Sequence, residues 1–228
     1  MDLRPVEQLV GVEDPAWPEI AGLLKDAPAA RGVEISPEQG RKVLHALQVT
    51  ARSYLGALAL HTGGVLADHG WFRLLGGGSG GLPDLASVNG LSAGGRNTDP
   101  PSYLVVGYDV LGGRFAIDGG GLGVAPGQVC YFGPDTLCWD GLGGGHADFV
   151  TATITGALSE AFASLRWPGW QHEVSALPPG QGLSLYPPPF TAEGQDLADA
   201  ARQPVPITEL VGFYEDAARQ LNTPGLNP

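Results

Sequence analysis

Apolar positions recur at helical spacing near the start of the chain. Ile20, Leu23 and Leu24 form one stripe through Lys25, behind an Asp14-Pro15 start in which the aspartate caps and the proline opens the first turn. Ser36-Pro37-Glu38-Gln39 has the form of a capping box, and Val43, Leu44 and Leu47 follow on one face. Ser53 to His61 is a third apolar helical run, with Gly63 and Gly64 available as a left-handed stop. The period then changes. Val65 to Gly76 predicts two short strands about a turn at Asp68 to Gly70. Gly76 to Ser102 has no sustained period and predicts a long glycine-rich loop, 76–102, of a kind uncommon in a compact domain unless it serves a function.

Beyond that loop, "YLVVGYDV", "GRFAID", "QVCYF" and "TLCWDGL" are four β-rich runs spaced as a meander. Helical composition returns at Phe149 to Ile154 and Leu158 to Leu165, then breaks at the Pro-Gly of "RWPGWQHEVSAL". "LSLYPPPF" predicts an extended cover, because consecutive prolines fit neither a helix interior nor a central strand. The last helix carries Ile207, Leu210, Val211, Tyr214, Ala218 and Leu221 on one face behind Pro206. Helices, a mainly antiparallel sheet and helices again predict one α+β domain over 1–228.

Composition changes this picture little, but charge changes it more. An apolar fraction of 43% over 228 residues supports a core, with Trp71, Trp139, Trp167 and Trp170 expected within it. The net charge of -12 repels polyanions, which argues against direct nucleic-acid binding. From Asn97 to Leu165 there are seven acids and one base, Arg114. An exposed segment of that kind favours a basic partner. The start "MDLRPVEQLVGVEDP" lacks the apolar core of a secretory signal, and no run reaches membrane-spanning length, so the expected location is cytoplasmic, away from membranes. Cys130 and Cys138 are too few for a disulfide framework or a structural zinc site and are expected as buried free thiols. A turn at Pro134-Asp135 would set Tyr131 opposite Cys138 and Cys130 opposite Trp139, with the sulfurs on opposite faces.

Three stretches resemble chemical motifs. "GGGLG", Gly119 to Gly123, would cradle an anion only if its N–H groups converged, but a strand follows and no Lys-Ser or Lys-Thr does, so it predicts a hairpin turn. "GGSGG" places Ser79 where a nucleophile elbow would, although Leu82-Pro83-Asp84 is a poor start for the helix that motif requires. "ADHGW" brings Asp68 and His69 beside Trp71 without a metal-ligand spacing. No cofactor or metal is expected.

The segments "LQVTARSYLGALALHTGGVLADHGWFRLLG", "GYDVLGGRFAIDGGGLG", "VCYFGPDTLCWDGLGGGHADFV" and "LRWPGWQHEV" resemble the bacterial family catalogued as domain of unknown function 2625, across nearly the whole chain. That family implies no activity. More distantly, "GGRFAIDGGG" and "HADFV" resemble the SUKH superfamily, the Smi1/Knr4-like proteins, over about half the chain. This second resemblance implies a central sheet with flanking helices and an immunity-type role, binding and blocking a toxin such as a nuclease. The long glycine-rich loop and the C-terminal extension depart from that pattern. On this reading Asp109, Asp118, Asp135 and Asp148 are the partner contacts, with Tyr108 or Tyr131 as aromatic anchors, and binding rather than catalysis is expected. The alternative is a hydrolase with a pocket near Asp68, His69 and Ser79.

Overall fold

Hydrophobic periodicity and capping chemistry account for most elements of the computed structural model, which describes residues 3–91 and 101–221. Helix α1 (Val6–Val10) precedes the expected helices. Helix α2 (Trp17–Asp26) begins later than expected, because Asp14 adopts φ 55° and leaves the proline of the first turn to Pro18. After strand β1 (Arg31–Val33), helix α3 (Pro37–Leu47) starts on the expected cap, with Ser36 Oγ accepting from the Gln39 N–H at 3.2 Å. Helix α4 (Tyr54–His61) is capped in the same way by Ser53. It ends at an extended Thr62, and the two glycines lead into the next strand instead of forming a left-handed cap.

Strands β2 (Gly64–Ala67) and β3 (Phe72–Leu75) flank a single 3-10 turn at Asp68–Gly70. The loop expected over 76–102 contains a short helix, α5 (Leu85–Val88), because the Asp84 carboxylate accepts from the N–H groups of Ala86 and Ser87. Asn89 then binds both the N–H and the C=O of Val105, tying this segment to the sheet. Residues 92–100, Asp99 among them, lie outside the described residues.

Strands β4 (Tyr103–Asp109), β5 (Arg114–Asp118), β6 (Val129–Phe132) and β7 (Trp139–Gly141) complete the expected meander. The seven strands form one antiparallel sheet in sequence order. The β6–β7 register differs from expectation. Leu137 adopts φ 53° and donates to the Gly133 carbonyl, which lengthens the turn and sets Phe132 opposite Trp139 and Cys130 opposite Gly141. The change is an even number of residues, so the two cysteines keep their assignment to opposite faces.

Helix α6 (His146–Thr155), a 3-10 segment at Ser159–Leu165 and helix α7 (Trp170–Ser175) follow. Strands β8 (Gln181–Tyr186) and β9 (Ala201–Pro206) make a separate antiparallel ribbon, so the first half of "LSLYPPPF" is a strand. In a two-stranded ribbon every strand is an edge, and the missing N–H groups of Pro204 and Pro206 break no second ladder. Helix α8 (Ile207–Leu221) buries Ile207, Leu210 and Tyr214 as its period requires.

Antiparallel pairing places one residue from each strand in a continuous row across one face: Arg31, Leu66, Arg73, Tyr108, Arg114, Phe132 and Trp139. Phe72, Phe115 and Tyr131 belong to the other face, where Phe72 and Phe115 meet Phe162 edge-on or tilted, with ring centres 4.9–5.9 Å apart. The result is a single α+β domain whose sheet is packed on both sides. Among the described residues no helix is long and apolar enough to cross a membrane.

Candidate functional site

Two of the four aspartates expected as partner contacts are internal. Asp109 has no solvent exposure; its Oδ1 accepts from the N–H groups of Leu111 (2.8 Å) and Gly113 (2.9 Å), and its Oδ2 from the Tyr131 hydroxyl (2.6 Å). Burial raises its pKa, opposed by these three donors and by Arg73. Asp118 is 2% exposed, and its carboxylate accepts from Gly120 (2.6 Å), Leu122 (3.1 Å) and Val124 (3.3 Å). Burial alone would raise its pKa, but these backbone donors outweigh it and hold the carboxyl below its ordinary range. The glycine loop is therefore the expected turn between β5 and β6, and it also cradles an anion, the side chain of the residue that opens it. Both aspartates are corrected from surface contacts to turn acceptors, because tight turns leave successive N–H groups needing an acceptor. Tyr108, 2% exposed, and Tyr131, held by Asp109, are not outward anchors.

Asp135 and Asp148 are exposed, as expected, and so is Asp140. Asp135 lies in the β6–β7 turn, Asp140 in the edge strand β7, and Asp148 in the first turn of α6, where it accepts from the Gly145 N–H at 3.1 Å. Cys138, expected to be buried, is exposed beside Asp140, whereas Cys130 is buried; both are free.

The arginines of this half of the chain turn inward. Arg114 pairs with Glu215 and lies 4.5 Å and 5.2 Å from the ring centres of Phe132 and Trp139. Arg166 pairs with Asp68 and stacks on Trp71 and Trp170 at 4.9 Å and 4.2 Å. Arg202 pairs with Glu173 at 3.2 Å and covers Trp167 at 4.8 Å. Each guanidinium thus joins distant segments through a carboxylate and an aromatic face. Among the described residues after 101, Arg219 is the one base left exposed, against nine exposed acids. That segregation is invisible to a count of charges along the chain.

The Asp68–Gly70 turn holds two successive non-glycine residues at positive φ, Asp68 at 50° and His69 at 59°. Such conformations cost on the order of 1–3 kcal/mol each and recur at functional sites. They send neighbouring side chains apart. Asp68 accepts from the Ser159 hydroxyl at 2.8 Å and from Arg166, whereas the exposed His69 meets the edge of Trp170 at 5.9 Å. Clefts of about 180 Å³ and 240 Å³ lie on the two sides, with Pro28 and Ala29 lining both. Ser79 lies beyond the open end of the β2–β3 hairpin, against Gly63, one strand length or roughly 13 Å from the turn. The structure therefore does not bring Ser79 beside Asp68 and His69. Ser159 donates to Asp68 and also accepts from Arg166 at 2.7 Å, so its hydroxyl is held within this ion pair. Among the described residues no three His, Cys, Asp or Glu side chains converge as a metal ion requires.

Comparison with known proteins gives family but not function. No solved structure matches this chain. An uncharacterised Escherichia coli protein, YbfG, is 36% identical over 194 residues, covering 81% of this chain and 85% of its own. An uncharacterised Haemophilus influenzae protein is 30% identical over 187 residues, covering 81% and 82%. The model of the family described as protein of unknown function DUF2625 matches residues 6–210, and the chain belongs to that family.

Proposed function

We propose that this protein acts by stoichiometric binding of a basic protein partner, through the acidic margin formed by Asp135, Asp140 and Asp148. The observation that carries this reading is the fate of the arginines: Arg114, Arg166 and Arg202 are consumed inside the fold, so the carboxylates around β7 and α6 have no compensating surface cations nearby in sequence. An uncompensated field of this kind speeds encounter with a positive surface and weakens with salt. The same field repels phosphate backbones, which favours a protein over a nucleic acid as partner. A toxin, such as a nuclease, is the partner class suggested by the distant SUKH resemblance.

The test begins with the partner recovered from the native host by affinity capture and identified. Association rates are then measured at low and moderate salt for Asp135→Lys, Asp140→Lys and Asp148→Lys. Each is expected to slow association about tenfold at low salt and to flatten its salt dependence. Unchanged association in all three variants sinks the acidic-margin reading.

A further inference from the structure

The cleft on the His69 side of the turn differs in charge from the one beside it, which Asp26 and Asp68 line. Among the described residues its ionisable lining consists of Arg31, His69 and Arg73, with no carboxylate. Arg31 and Arg73 flank Leu66 in the cross-sheet row, so both side chains leave the same face, two strands or about 10 Å apart. Arg31 is exposed and makes no hydrogen bond or ion pair among the described residues. Arg73 is 1% exposed; its guanidinium donates to the carbonyls of Gly70, Trp71, Pro179 and Gln181, and among the described residues it pairs with no carboxylate. Burial lowers its pKa to about 10, so it stays charged at neutral pH.

The acid nearest in sequence, Asp68, is turned into the neighbouring cleft and tied to Arg166 and Ser159. The strained pair of left-handed residues is what separates them, bringing His69 to the cationic cleft and taking its acidic neighbour away. We infer that this cleft is a binding site for a small oxyanion, a phosphoryl or carboxyl group gripped by Arg31 and His69 in the field of the buried Arg73. Its volume, about 180 Å³, lies below the range that takes drug-sized ligands, so the ligand is phosphate-sized or a small acid. The rigidity of Arg73, fixed by carbonyls on two sides, supplies preorganised charge without a side chain to be ordered on binding.

The experiment is an NMR titration of the whole protein with inorganic phosphate and, separately, acetate, each against chloride at matched ionic strength. Saturable one-to-one binding is expected for at least one anion, and the tighter of the two names the chemical class. Arg31→Gln and His69→Asn should each weaken it about tenfold, the loss of one charge-assisted contact. Asparagine tolerates the left-handed backbone, so the second variant keeps the turn. Lys42→Gln, an exposed cation on α3, should leave binding unchanged. Absence of saturation by either anion overturns the site, as does binding that is insensitive to Arg31→Gln and His69→Asn or equally weakened by Lys42→Gln.

Discussion

At the β1 edge of the sheet an arginine stands uncovered; at the β7 edge, six strands and roughly 29 Å away, the same cross-sheet row ends in a half-buried tryptophan and the exposed charges are acidic. Between them Arg73 and Arg114 occupy equivalent positions in the row, yet the first donates to carbonyl oxygens, and the second meets a carboxylate and two aromatic rings. The residue type is the same in all three cases. What differs is what later segments of the chain lay over it: nothing that pairs with Arg31, the 179–181 segment over Arg73, and α8 over Arg114. A charge in this protein acquires its meaning from its cover, not from its neighbours in sequence.

The sharpest way to break that comparison is to remove tryptophans from the two sides. Trp71, fully buried beside the β2–β3 turn, should lose on the order of 3–5 kcal/mol on replacement by alanine, whereas Trp139→Ala should lose about 1–2 kcal/mol. Urea unfolding of both variants measures the difference, and equal losses would show that the β7 edge is as well covered as the interior. Next in size is the arginine pair. Arg114→Ala should cost about 2 kcal/mol through lost packing and a weakened Glu215 contact, while Arg31→Ala should stay within about 0.5 kcal/mol. Comparable losses would mean that Arg31 has a structural partner after all.

A third effect appears only in acid. The depressed pKa of Asp118 means that its contribution to stability is present above the unfolded value, near 4, and is lost as pH falls through the folded value. Asp118→Asn should therefore be less stable than the native chain at pH 7 and converge with it in strong acid. Denaturation midpoints between pH 2 and 7 would reveal parallel curves if the carboxylate were not held as its charged form. The smallest effect leaves stability untouched: a thiol reagent should modify Cys138 in the native protein and reach Cys130 only after unfolding. Equal labelling rates would place both cysteines in the same environment.

The elements with a strong local signal were legible in the sequence. Ser36 declares its helix because its hydroxyl can accept from the first turn, and the β4–β7 meander is legible because alternation and turn residues agree. Strand β1 is three residues with two exposed, too short for a period, and β9 hides behind Pro204 and Pro206. The buried aspartates were missed because an aspartate beside glycines reads as a solvated turn. The usable signal was the run of N–H donors that follows each one, Leu111 to Gly113 and Gly119 to Val124, which demands an acceptor. Arg31 gave no signal at all, since its cleft is made by His69 and Val174, far away along the chain.

The loop from Gly119 to Val124 carries its anion on a tether. A free phosphate or carboxylate held by the same N–H groups would leave and return with its concentration in the medium, so the order of the loop would follow the composition of the cell. The Asp118 side chain, attached one residue away, is present at an effective concentration that dilution cannot lower. Competing anions in solution would have to displace it from a site it never leaves, and the hairpin between β5 and β6 keeps its shape without a supply of any ligand.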